Sequence, residues 1–143
     1  MQNKRSKWKN QFQQISSSSK FHETVRKIFT DDSFFKNLSC YQEVPVSALA
    51  PGYDNNSHCV DWYIDELGVV LELHGQQHYK LTNYGNIPYQ KAKKNFSNIQ
   101  YRDNKKKLAL KNAGYEYREI SYKLQNKLTA SKIKDIILSN KEE

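Results

Sequence analysis

Residues Cys59 to Tyr79 read Cys-Val-Asp-Trp-Tyr-Ile-Asp-Glu-Leu-Gly-Val-Val-Leu-Glu-Leu-His-Gly-Gln-Gln-His-Tyr, two short strands joined by a tight turn. Val69, Val70, Leu71 and Leu73 form an apolar, β-branched run of the kind that suits a well-covered strand. Side chains alternate along a strand, so Glu72 and His74 share one face while Leu71 and Leu73 take the other. Glu72 therefore points where its neighbours predict a packed environment. An unpaired charge there is costly and should find a partner or a cation. Asp61, on the first strand across the Asp65-Glu66-Leu67-Gly68 turn, is the natural second carboxylate. Two carboxylates facing one point repel each other unless a divalent ion lies between them. Mg²⁺ is commonly held by one or two carboxylates, waters and substrate phosphate oxygens. It activates water and stabilises charge on a phosphoryl group.

These residues resemble the PD-(D/E)XK nuclease superfamily. Its usual pattern is an Asp followed, on the next strand, by Glu-x-Lys, with the two acids on the metal and the Lys assisting the attacking water. Asp61 and Glu72-Leu73-His74 match that pattern except that His74 stands in the Lys place and no Pro immediately precedes Asp61. The His-Gly-Gln-Gln-His ending is similar to the branch that holds very-short-patch repair endonucleases and phage homing endonucleases. That branch also uses a glutamate on the first helix, for which Glu23 is the matching position. The resemblance covers roughly residues 21–137. It implies an α/β fold with a restriction-endonuclease-like core, a small mixed β-sheet flanked by α-helices. It also implies Asp61, Glu72 and the Leu73 carbonyl as ligands of Mg²⁺, for which Mn²⁺ would substitute. The missing Lys leaves the general base open.

The charge distribution is uneven. Residues 1–27 carry seven Lys/Arg against one acid, residues 28–79 one Lys against eight acids, and residues 80–134 fourteen Lys/Arg against three acids. Basic flanks around an acidic centre suit a metal site gripped onto a polyanion, the flanks neutralising phosphates. Alone, a lysine-rich run more often just keeps a surface solvated. The expected partner is double-stranded DNA, with Lys93, Lys94, Arg102, Lys105, Lys106 and Lys107 as contacts, although an RNA substrate stays open. No apolar run approaches the length of a membrane span, and the basic N-terminus lacks the apolar segment of a secretory signal. A cytoplasmic protein of a bacterial or phage-infected cell is the expectation. Cys40 and Cys59 read as reduced thiols; with His58 they match no familiar zinc spacing.

At 143 residues the chain suits one nuclease domain over 21–143, preceded by a basic arm over 1–20. The arm reads as flexible or as a weak helix carrying Trp8, Phe12 and Ile15. Ser18 or Ser19 is placed to cap a helix whose apolar stripe is Phe21, Val25, Ile28 and Phe29, with Glu23 off the stripe. A turn over 31–37, an edge strand from Tyr41 ending near Pro45, and a surface loop over 49–56 follow. Beyond the hairpin, 80–89 reads as a loop beside the site. Residues 91–112 read as a helix broken near 97–100 and stopped by Gly114. A strand over 115–122 and a helix carrying Ile133, Ile136 and Ile137 complete a small mixed sheet with helices on its faces.

In the expected reaction, Asp61 and Glu72 bind the metal and Glu23 completes the acidic cluster. His74 or His78 positions or deprotonates water, or protonates the leaving oxygen. Gln76 orients water or phosphate, and Gly75 lets the backbone approach the substrate. Asp65 and Glu66 read as turn formers. Three readings follow: a site-specific endonuclease of phage homing type, a mismatch- or structure-specific nicking repair enzyme, and a nucleic-acid-binding module that no longer cuts. One active site cuts one strand at a time, so a double-strand break would take a homodimer or two successive events.

Overall fold

In a computed structural model of the chain, residues 19–76, 79 and 87–139 are described. The arm over 1–18, His78 and most of the 80–89 loop lie outside the described residues. Helix α1 (Lys20–Asp31) starts at Ser19, whose side chain accepts the His22 N–H, and buries Phe21, Val25 and Phe29 at the anticipated helical spacing. A single turn of helix, α2 (Ser33–Lys36), replaces the expected bare turn. Asp32 makes it possible, because its carboxylate accepts the N–H groups of Phe34 and Phe35. Strand β1 (Cys40–Pro45) runs into the short α3 (Val46–Leu49), then β2 (Cys59–Ile64) and β3 (Val69–His74) form the hairpin. Helix α4 (Tyr89–Asn112) is continuous through 97–100, where a break was expected; Ser and Asn lower helix propensity without preventing a helix. Strand β4 (Glu116–Ser121), a 3-10 segment (Tyr122–Lys127) and α5 (Ala130–Leu138) end the fold.

The sheet has the order β1-β2-β3-β4. The first two pairings are antiparallel and β3 pairs with β4 in parallel, so α4 is the crossover between them. A four-stranded mixed sheet with helices, the α/β class anticipated, is thus observed. All six residues of β3 are buried, as expected of an inner strand covered on both faces. On one face Trp62 (1% exposed), Leu71, Leu73 and Ile120 pack against Phe21, Val25 and Phe29 of α1 and Ile133 and Ile137 of α5. On the other, Tyr63, Val70 and Tyr117 meet Val46 and Leu49 of α3 and Leu110 of α4.

The hairpin turn is a 3-10 turn over Asp65–Leu67 closed by Gly68 at φ 62°, ψ 32°. Glu66 reaches back to the Ser39 N–H and hydroxyl at 2.6 and 2.7 Å, and Asp65 accepts the Tyr63 hydroxyl at 2.9 Å. A Cβ built on Gly68 meets nothing within 4 Å, so only backbone strain opposes a side chain there. Gly68→Ala is expected to lower stability by about 1–2 kcal/mol and Gly68→Asn by less. Urea unfolding checks this. Equal losses for the two would mean that conformation at this position is not what the glycine supplies. Among the described residues no helix is long and apolar enough to cross a membrane.

Candidate active site

The β2–β3 ladder pairs Trp62 with Leu71, Tyr63 with Val70 and Ile64 with Val69, and there it stops. The next residues in register, Asp61 and Glu72, exchange side-chain bonds with the opposite backbone instead. Asp61 N–H donates to Glu72 Oε1 at 2.9 Å, and Leu73 N–H donates to Asp61 Oδ2 at 2.7 Å. Each carboxylate therefore occupies a ladder position that a carbonyl would have filled, and the two acids are locked beside each other where the strands part. The strand ends open into a cleft of about 740 Å³. Asp61, Glu72, Leu73, Gly75 and Gln76 line it from the hairpin and the residues just after it, His22 from α1, Glu43 from β1, His58 from the loop before β2, Cys59 from the start of β2, and Arg102 and Lys106 from α4.

Lys106 is 6% exposed. Its Nζ donates to Glu72 Oε2 at 2.8 Å and to the Cys59 carbonyl at 3.0 Å. Expected as a surface contact to phosphate, it is instead a buried cation fixed on the central acid. Its sequence neighbours are occupied elsewhere: Lys105 pairs with Asp54 at 2.6 Å, and Lys107 lies 4.0 Å from Glu119 and over the Tyr117 ring. Lys93, Lys94 and Arg102 are exposed on α4.

His74 (3% exposed) does not line the cleft. It sits behind Glu72, its Nδ1 at 3.0 Å from Glu119 Oε2 and its Nε2 at 3.8 Å from Glu72 Oε2, an ion-pair distance. Parallel register explains this, since Glu72 pairs with Glu119 and His74 with Ser121 on the same face. Burial pulls the imidazole pKa down, but the two carboxylates outweigh it and lift it to about 9. At neutral pH His74 thus holds its proton, which disfavours the base among the roles expected of it and leaves positioning of water or protonation of the leaving oxygen. Glu72 is held below the usual carboxylate range: burial pushes it up, but His74 and Lys106 outweigh that. Asp61 is raised to about 7, by burial first and the Glu72 charge second.

Glu23 does not join this cluster. It forms a two-pronged pair with Arg26, at 2.6 and 3.2 Å, and its side chain is 46% exposed. One helical residue earlier, His22 faces the cleft; burial lowers its pKa. His58 is held by the Tyr53 hydroxyl at 2.6 Å from Nδ1 and is also lowered, by burial and then by Lys106 and Arg102. Sequence reasoning passed over Glu43, which lies opposite Asp61 between the Gln42–Trp62 and Val44–Val60 pairs. Its φ of 56° is the one left-handed non-glycine conformation among the described residues, and its pKa is raised by burial and by Glu72. Such backbone strain clusters at functional sites. The available signal was an acid in the middle of a strand otherwise built for burial. His78 lies outside the described residues.

Glu72 belongs to two candidate ligand sets. The anticipated one is Asp61, Glu72 and the Leu73 carbonyl, all oxygen donors of the type Mg²⁺ and Mn²⁺ prefer. In addition, Glu72, His74 and Asp103 offer atoms that lie within 4.8 Å of one another, a mixed nitrogen and oxygen set. The second requires a neutral imidazole, which Glu119 and Glu72 disfavour. A cation at the first would offset the Glu72 charge, which after burial is the second cause of the raised Asp61 pKa. Cys40 and Cys59 are free thiols, Cys40 buried in the core, and they form no metal cluster with His58 among the described residues. Comparison with protein-family models and with curated proteins finds no match to the chain.

Proposed function

We propose that the chain is a metal-dependent DNA endonuclease built on a restriction-endonuclease-like core. The observation that carries the reading is the Asp61–Glu72 pair, inserted where β2 and β3 part at the floor of an open cleft, with buried Lys106 on Glu72 and Arg102 on the wall. Folding alone gives little reason to bury an acid with a lysine and set a second, half-buried acid beside them, because a well-packed apolar set is usually at least as stable. Asp61, Glu72 and the Leu73 carbonyl would hold Mg²⁺ or Mn²⁺. When bound, such an ion supplies positive charge to the phosphate and lowers the pKa of water. Lys106 keeps Glu72 ionised and oriented. His74 adds fixed positive charge behind it. Arg102 takes phosphate oxygens, and Gln76 offers amide hydrogen bonds at the rim. His22 and His58, lowered and in the cleft, are better placed than His74 to accept a proton from water.

One observation favours a second reading, a module that binds nucleic acid without cutting. Both oxygens of Glu72 already have protein donors, as a purely structural acid would. Supercoiled plasmid incubated with Mg²⁺ or Mn²⁺, against EDTA, separates the two. Metal-dependent nicked or linear product, absent with Asp61→Ala, is the expected result. Nicked product alone would favour the nicking enzyme over the homing type. Salt-sensitive binding with no cleavage of plasmid or of a genomic library would sink the nuclease.

A further inference from the structure

On α4 the residues Lys91, Lys94, Asn95, Asn98 and Arg102 recur at spacings of three and four, so they share one face of the helix. All five are exposed. Each carries hydrogen-bond donors and none is acidic. The face ends at the cleft, because Arg102 lines it and Lys106, one turn further, forms its floor. We infer that this face is the track on which one strand of duplex DNA lies, with its phosphates leading to the Asp61–Glu72 pair.

Geometry sets the extent of the track. The eleven steps from Lys91 to Arg102, at about 1.5 Å each, span roughly 16 Å, close to five base pairs at about 3.4 Å. Chemistry sets the partner: ammonium, amide and guanidinium donors with no carboxylate among them match phosphate oxygens, and they position a backbone without reading sequence. The remaining α4 cations are distributed differently. Lys105 is tied to Asp54, Lys106 to Glu72, and Lys107 lies against Tyr117 and Glu119 on another side. Lys93 and Lys111 are exposed but lie off the face. The contact set thus shifts from the Lys105–Lys107 run to Lys91, Lys94 and Arg102, with Asn95 and Asn98 between them. The identity of the strand rests on the nuclease reading, whereas the track itself is tested by binding alone.

The experiment is fluorescence anisotropy of the full chain with a labelled 20-base-pair duplex in EDTA, across a KCl series. A variant carrying Lys91→Gln, Lys94→Gln and Arg102→Gln is compared with one carrying Lys27→Gln, Lys111→Gln and Lys132→Gln, which removes the same charge from exposed positions off the track. Circular dichroism confirms that both fold. The track variant is expected to lose more than about tenfold in affinity and to flatten the salt dependence by about 2–3 in log–log slope, at about 0.9 per lost phosphate contact. The control should keep most of both. Equal losses in the two variants, or no binding by the parent chain, would overturn the track. So would polyglutamate competing as well as duplex, which would mark an acidic protein as the better partner. If the parent binds with the expected difference but never cleaves, the track stands and the nuclease reading falls. Cleavage without the difference gives the reverse.

Discussion

Glu72→Ala is expected to abolish metal-dependent cleavage and to destabilise the fold by about 3–5 kcal/mol, the usual consequence of removing one partner from a buried ion pair. Glu72 is 2% exposed and lies between two cations, Lys106 at 2.8 Å and His74 at 3.8 Å. Deleting it leaves the Lys106 ammonium with the Cys59 carbonyl as its one hydrogen-bond acceptor among the described residues, and leaves the Asp61 N–H without its acceptor. His74 can lower its own cost by releasing its proton, since one of the two carboxylates that raise it is gone. Lys106 has no comparably cheap route. A second substitution, Lys106→Met, should therefore recover part of the loss in the Glu72→Ala background while destabilising the parent. Urea unfolding of the four proteins closes the double-mutant cycle. If Glu72→Ala alone unfolds within about 0.5 kcal/mol of the parent, the charge network does not contribute to the fold as described.

The same network explains what could be read in the sequence and what could not. The hairpin, the α1 stripe and the pairing of Asp61 with Glu72 follow from short-range rules, because alternation and helical spacing are properties of neighbouring residues. Ser33–Lys36 and the unbroken α4 depend on a local cap and on summed propensity, which a glance at individual residues underweights. The site's remaining members come from contacts distant in the chain. Lys106 reaches Glu72 across 34 residues because α4 crosses over between β3 and β4. Within Lys105-Lys106-Lys107 the three side chains look interchangeable. Only the phase of α4 against the sheet decides that the middle one points inward. Glu119 likewise meets His74 only once the parallel β3–β4 register is known. Glu23 shows the converse. The family resemblance suggested a site acid there, but Arg26 lies one turn along and takes the carboxylate, whereas His22 faces the cleft.

Asp61→Asn is expected to stabilise the protein at pH 8 while eliminating cleavage. Burial and the adjacent Glu72 charge raise the Asp61 carboxyl from 3.8 to about 7. The folded state therefore binds this proton more tightly than the unfolded chain does. Below pH about 4 both states are protonated and Asp61 carries no penalty. As the pH rises from about 4 to about 7, the unfolded chain releases its proton first, so stability falls through that window and levels off above it. Asn has no proton to release, and its side-chain oxygen can still accept the Leu73 N–H. The difference between Asn and Asp should grow from near zero at pH 4 to about 1–3 kcal/mol at pH 8. That is less than the roughly 4 kcal/mol that the full shift would give, because the cleft admits water and Lys106 lies nearby. Thermal melts at pH 4, 6 and 8 measure it. Adding Mg²⁺ gives an independent readout, since a ligand that binds only the folded state raises its melting temperature. The parent should gain stability with Mg²⁺ at pH 8 and Asp61→Asn should not. A stabilised, metal-insensitive and inactive Asp61→Asn protein would mean that the strained carboxylate is kept for the cation. A variant less stable than the parent at every pH would mean that Asp61 serves the fold through its bond to Leu73, and the metal assignment would lose its electrostatic basis.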